Sequence, residues 1–238
     1  MSALQVGGFK YLPRKKGIGL FYKKLVEDRR RLKNSNFIIA NKFYRSCQLY
    51  IMEQLFQYFK KFNPLSKEAE EAIVEICSVI TIKKNKDLQS IGHTCKTIYF
   101  IKKGVARIYY LNDGIDITEN FFFENNIIAR VESLLTGKPS RKAIQILEDA
   151  EIISINANAL FQLYNRFHEV ERLFRKIFEA AYVDTVNRIE GMQFHTAEER
   201  YKALLHEAPD VLKRVPLKYV ASYLGITQVS LSRIRGHR

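Results

Sequence analysis

VASYLGITQVSLSRIRGHR runs from Val220 to Arg238 and reads as two short helices around one glycine. Leu217, Val220, Ala221 and Leu224 recur at i, i+3, i+4 and i+7, which is one apolar face of a helix. Pro216 suits the N1 position of that helix, where a missing N–H costs nothing. Gly225 supplies the sharp turn. Thr227 is a good N-cap for the second helix, because its hydroxyl accepts from a nearby backbone N–H. Leu231 and Ile234 turn inward, leaving Gln228, Val229, Ser232, Arg233 and Arg235 facing out. This is helix-turn-helix grammar, in which the N-terminal half of the second helix enters the major groove. Arg can hold guanine O6 and N7 with two hydrogen bonds, Gln can pair with adenine, and Val can touch a thymine methyl. Ser230, Ser232 and the helix N-terminus at Thr227 are suited to phosphate. A plain pair of helices with a solvated face fits the same residues, so the stretch is weighed with what precedes it.

Upstream, residues 156–193 read as helical. Val170, Leu173, Phe174, Ile177, Phe178, Ala181, Tyr182, Thr185 and Ile189 form a stripe broader than one core-facing face needs. The expectation is a helix that packs on its own domain with one side and on a second copy with the other, through Val170, Phe174, Ile177 and Ala181. An ordinary buried helix is the alternative. A shorter helix, TAEERYKALLHEAP, follows and stops at Pro209.

Residues 80–155 read as strands. TIYFI is followed by Lys-Lys-Gly, VARIYYL by Asn112-Asp113-Gly114, and IDITENFFF comes next; KAIQIL and EIISI add two more. Asp-Gly between two β-rich runs is a strong hairpin signal, since the turn needs positive φ. Short strands at this spacing suggest a barrel, roll or sandwich. Ahead of them, Ser66 is a candidate N-cap, with Ala69 at the position where a capping box would want Glu.

Composition bounds the remaining choices. The chain has 238 residues and a formal net charge of +14, unevenly spread. Residues 1–51 hold 12 Lys and Arg against 2 acids, whereas the other 187 residues hold 27 against 23. A basic balance favours anionic partners without choosing among them. Residues 1–51 lack the apolar core of a signal peptide. Three readings stand for them: a basic arm on nucleic acid, a targeting extension, or sequence upstream of a working start at Met52, which is preferred. No run approaches a membrane span; the best apolar stretch is Phe37-Ile38-Ile39-Ala40. Cys47, Cys77 and Cys95 are far apart, which fits a reducing cytosol and no metal cluster. His93 and His168 are single and are expected to be surface or core residues. Enzyme signatures such as G-x-S-x-G, the P-loop and H-E-x-x-H are missing, and no catalytic residue is proposed.

The order of a β-roll-like stretch, a long helix and a terminal helix-turn-helix resembles the Crp–Fnr family of bacterial transcription regulators, in its Bacteroidetes-type branch. TIYFIKKGVARIYY, ESLLTGKPSRKAIQILEDAEI and AEERYKALLHEAPDVLKRVPLKYVASYLGITQVSLSRIR carry the resemblance, which covers residues 52–238. It implies a cyclic-nucleotide-binding-type roll, a dimerisation helix and a winged-helix domain. Any wing strands would have to lie between Pro209 and Pro216 or be absent. It implies double-stranded DNA, a second copy of the chain and RNA polymerase as partners, with no membrane, in the cytoplasm.

The effector site departs from the family pattern. Where cyclic-AMP binders carry a glutamate for the ribose hydroxyls, this chain has Arg130, within Ala129-Arg130-Val131. Ser140-Arg141 offers a phosphate-binding arginine displaced by one position. Arg130, Ser140 and Arg141 are therefore the candidate effector pocket, for a ligand other than cyclic AMP. A buried arginine needs a partner, expected to be Glu132, Glu124 or an anionic ligand.

The fold class is thus α+β. It comprises a basic extension (1–51), a jelly-roll-like β-roll effector domain (52–167), a long dimerisation helix (168–193) and a helix-turn-helix domain, winged-helix-like (194–238). The function read from it is a homodimeric, sequence-specific DNA-binding transcription regulator, with no cofactor assigned. The alternative is a ligand-sensing or protein-interaction module that does not bind DNA.

Overall fold

The computed structural model describes residues 51–236, together with the backbone of two short paired strands, β1 (Leu4–Val6) and β2 (Phe9–Tyr11). The rest of the basic extension, including Cys47 and the Phe37–Ala40 stretch, lies outside the described residues. Helices α1 (Glu53–Lys60) and α2 (Lys67–Glu75) lead into the strands. The Ser66 hydroxyl caps α2 by accepting from the Ala69 N–H at 3.2 Å. No Glu stands at N3, and the carboxylate comes from far along the chain. Glu169 accepts from the Ser66 N–H at 3.1 Å and from its hydroxyl. A long-range partner thus completes the arrangement that a capping box makes locally.

Two four-stranded antiparallel sheets form the roll. One has the order β3 (Cys77–Ile82), β10 (Ala150–Asn156), β5 (Thr97–Lys103), β8 (Ile127–Ile128). The other has β4 (Asp87–Gln89), β9 (Ala143–Ile146), β6 (Ala106–Asn112), β7 (Ile115–Phe122). Their inner faces meet through Ile101, Ile108, Ile128, Ile144, Ile146 and Ile152. At about 25 cal/mol per Å² of apolar surface, such fully buried β-branched side chains each contribute roughly 1.5–3 kcal/mol before entropy is counted. Asp113 and Gly114 take φ of 50° and 77° between β6 and β7, the mirror-image turn that matches strand twist. Strand β7 carries a bulge: Thr118 pairs with Tyr109 and Asn120 with Ile108, so Glu119 is the extra residue.

Helix α3 (Val131–Thr136) follows β8, and α4 (Ala157–Tyr164) follows β10. The region expected to be helical from 156 onward breaks at residues 165–167. The long helix α5 (His168–Phe194) begins only after the break. Its first half is covered by its own chain. Val170, Leu173 and Phe174 are 0% exposed and Ile177 is 4% exposed, packed with Leu55, Phe59 and Leu160. Phe174 meets Phe59 edge-on at 5.5 Å, and the Lys176 ammonium donates to the Phe62 carbonyl at 2.9 Å. This corrects the expected dimer contacts: Val170, Phe174 and Ile177 have no surface left to offer, because they are packed in the core with Phe59 of α1 and with Leu160 and Tyr164 of α4. Of the four residues, only Ala181 is exposed.

Beyond α5 the described chain is helical: α6 (Ala197–Glu207), α7 (Val211–Arg214), α8 (Leu217–Tyr223) and α9 (Gln228–Gly236). Thr196 and Glu199 form a full capping box at the start of α6. The stretch from Pro209 to Pro216 holds α7 and no strand, so among the described residues there is no wing. The sequence Val211-Leu-Lys-Arg closes a helical turn under Val215, and the extended φ and ψ enforced before Pro216 end it. Pro216 is the N-cap of α8, with ψ of 134°, one position earlier than expected; its carbonyl accepts from Tyr219 and Val220.

Candidate functional site

The two terminal helices are joined by Leu224, Gly225, Ile226 and Thr227. Gly225 has φ of 68°, a conformation open to glycine at little cost. The Thr227 hydroxyl accepts from the Ser230 N–H at 3.1 Å and caps α9. Leu231 is buried and Ile234 is half-buried, whereas Thr227, Gln228, Val229, Ser232, Arg233 and Arg235 are exposed and Ser230 is half-buried. Helix α9 therefore presents a polar, cationic face together with one apolar side chain, Val229, 63% exposed.

The pair does not stand apart from the roll. Val220, Ala221, Leu224 and Leu231 share one core with Val105, Phe121 and Leu147 of the roll. Over that core lies a polar layer. Arg107, on β6 and 1% exposed, donates to both carboxylate oxygens of Asp116, at 2.5 and 2.6 Å, to Gln145 at 3.0 Å and to Thr118 at 2.9 Å. Its guanidinium is stacked between the rings of Tyr109 and Tyr219, and the second of these comes from α8. The Ser222 hydroxyl accepts from the Thr118 N–H at 2.9 Å and donates to the Asp116 carbonyl at 3.3 Å. Arg214 donates to Glu124 at 2.7 and 2.8 Å and also to Glu148, and Glu124 in turn accepts from the Gly104 N–H. The hydrogen bonds from Arg214 hold the Glu124 carboxyl well below its usual range, down to about 2. Arg188 of α5 donates to the carbonyls of Tyr223 and Glu119 and stacks on the Tyr223 ring. Burial lowers its proton affinity. A cleft of about 700 Å³ opens at this junction; Glu124, Asp184, Arg188, Arg200, Glu207 and Arg214 lie along it.

Of the three residues of the candidate effector pocket, Arg130 and Ser140 come together and Arg141 does not. Arg130 is buried at the N-cap of α3, and its Nε donates to the Ser140 hydroxyl at 3.4 Å. The Ser140 hydroxyl is committed to the turn, donating to the Lys142 carbonyl at 2.8 Å and accepting its N–H at 3.1 Å. Arg141 is exposed. The partner of Arg130 is Glu119, at 3.7 Å, and not Glu132 or Glu124. Glu124 is occupied by Arg214, and the bulge in β7 redirects Glu119 toward Arg130. The other oxygen of Glu119 meets the Lys142 ammonium at 2.8 Å. A cyclic nucleotide needs a cation for its phosphate and an acceptor for its ribose. Here the buried cation already faces a carboxylate, and the second arginine is at the surface. These residues do not fit a cyclic nucleotide held in the family manner.

Cys77 and Cys95 are buried, and burial pushes the Cys77 thiol up to about 12, far from a reactive thiolate. Among the described residues no three His, Cys, Asp or Glu side chains gather to hold a metal. His93 and His168 are exposed. No helix among the described residues is long and apolar enough to cross a membrane.

Fold and site together define a cyclic-nucleotide-binding-type β-roll followed by a long helix and a helical C-terminal unit. By sequence, residues 79–167 match the cyclic nucleotide-binding domain family. In structure, the fold of the chain is similar to those of several solved proteins. It resembles FixK2 from Bradyrhizobium japonicum with a TM-score of 0.60 at 17% identity, over 68% of this chain and 84% of that one. It resembles a protein from Eubacterium rectale assigned to the Crp/Fnr family of transcriptional regulators, also at 0.60, with 18% identity over 76% and 87% of the two chains. The c-di-GMP-responsive global regulator CLP of Xanthomonas campestris is similar at 0.57, with 15% identity over 72% and 91%. No curated protein matches by sequence.

Sequence reasoning missed Glu119, Arg107 and Arg188. Each is a charged residue in or near an apolar run, which is a usable signal. Its partner, however, lies in another element, and no local spacing reveals that.

Proposed function

We propose that the chain is a homodimeric, sequence-specific DNA-binding transcription regulator. The observation that carries this reading is the exposed face of α9, where Gln228, Val229, Ser232, Arg233 and Arg235 are exposed on a helix fixed by Leu231 and capped by Thr227. Such a face suits the major groove: arginine reads guanine, glutamine reads adenine, and the capped N-terminus with Ser230 meets phosphate. The roll (52–167) is the sensing part, α5 the dimerising part, and the chain from 194 on the DNA-binding part.

The second copy is assigned to the second half of α5. Tyr182 and Ile189 lie two turns apart on one face, 71% and 51% exposed, with Thr185 between them and Ala181 and Met192 alongside. Isologous pairing of this stripe places two α9 helices for successive major-groove faces, about 34 Å apart. RNA polymerase is the partner through which such a regulator acts. Selection from a random duplex pool tests the reading. A two-fold symmetric consensus is expected, and recovery of unenriched sequence contradicts it, favouring an interaction module that does not bind DNA.

A further inference from the structure

Glu119 touches three parts of the molecule at once. It is the extra residue of the β7 bulge, and bulges re-aim side chains. Its carboxylate lies 2.8 Å from the Lys142 ammonium and 3.7 Å from the guanidinium of buried Arg130. Its carbonyl accepts from Arg188 of α5. The residue before it, Thr118, gives its N–H to Ser222 of α8, and Asp116, on the same strand, accepts from that same hydroxyl. The geometry of this contact to Arg130 is loose. The Glu119 Oε2 atom is buried and makes no hydrogen bond, so the guanidinium is neutralised at a distance while its forked donor geometry goes largely unused.

We propose that Glu119 is a built-in occupant of an anion site formed by Arg130 and Lys142, and that a small oxyanion-bearing effector binds there by displacing it. An untethered oxyanion can meet the fork of Arg130 and the Lys142 ammonium together at hydrogen-bond distance, whereas the Glu119 carboxylate, tethered to its strand, comes that close only to Lys142. Displacement frees the bulge. The bulge carries the Arg188 and Ser222 contacts, so its movement is felt at α8 and the placement of α9. The effector site and the terminal helices are then coupled through three residues of one strand, Asp116, Thr118 and Glu119, and the coupling is reciprocal. The inference rests on the regulator reading only for its output, since neither the site nor the coupling requires DNA.

The test uses the full chain, inorganic phosphate as the probe, and no DNA. Phosphate titrations followed by calorimetry compare the wild type with Glu119→Gln, which keeps the shape and removes the competing charge. Phosphate should bind Glu119→Gln at least about ten-fold more tightly, and adding Arg130→Gln should abolish the gain. Amide exchange in residues 217–223 should be several-fold faster in Glu119→Gln. The control Asp149→Asn, at an exposed pair with Lys83, should leave it unchanged. Glu119→Asp, which shortens the reach and keeps the charge, serves if Glu119→Gln does not fold, with an intermediate gain expected. Unchanged phosphate affinity in a folded Glu119 variant overturns the built-in occupant, and unchanged exchange in α8 overturns the coupling. Absence of DNA binding, by contrast, would contradict the regulator reading and leave this titration as it stands.

Discussion

Arg107 of the roll lies with its guanidinium 3.6 Å from the ring centroid of Tyr219 of α8, and Tyr109 covers its other side. A fully buried cation between two rings, paired with Asp116, joins the terminal helices to the roll as one body. Asp116 is 39% exposed and stays solvated when its partner is removed, so truncating Arg107 loses the packing, ring contacts and hydrogen bonds of a buried guanidinium and strands no buried charge. Arg107→Ala should therefore lower stability by about 2–3 kcal/mol in urea unfolding. Tyr219→Leu should cost less, about 1–2 kcal/mol, since it removes one ring. If Arg107→Ala unfolds at the wild-type urea concentration, the layer contributes nothing to the joint.

The oligomer assignment separates two kinds of apolar residue on one helix. Tyr182→Glu and Ile189→Glu should give a folded monomer by light scattering, with the wild-type melting temperature little changed. Phe174→Glu should instead unfold the chain, because it places a charge in a closed core between Phe59 and Tyr164. A dimer that survives both of the first two changes would put the interface elsewhere.

Much of this was legible from the sequence, and the legible part was local. Asp113-Gly114, Gly225 with the Thr227 cap, and the buried Leu231 follow from turn chemistry and helical spacing within a few residues. The winged region and the dimer face did not follow. An apolar stripe says that a face is covered, not by what; Phe59 of α1, 115 residues before Phe174 in the chain, packs edge-on against it in the core that also buries Val170 and Ile177. Glu119 and Glu169 were invisible for the same reason. Each acts on a partner in another element: Glu119 through a bulge that pairing alone produces, and Glu169 as the carboxylate that α2 lacks at its N3 position.

Acid should loosen the joint between roll and helices. Glu124 has its folded value lowered from 4.5 to about 2 by the hydrogen bonds from Arg214. The group binds protons more readily when unfolded, so its contribution is fully present above pH about 4.5 and is lost as pH falls toward 2. In Glu124→Gln, stability should vary less with pH across that window than in the wild type. Parallel curves for the two proteins would show that the Arg214 pair does not stabilise the fold.

The central claim is that α9 reads DNA, and the salt dependence of binding tests it most directly. With the selected operator in gel shifts at several salt concentrations, Arg235→Ala should weaken all sequences alike and lower the salt slope by about one unit. Arg233→Ala should cost about 1–3 kcal/mol on the operator and relax preference at one base pair per half-site. If the two variants bind operator and random duplex with the wild-type affinity and salt slope, α9 does not enter the groove and the account of this protein as a DNA-binding regulator is contradicted.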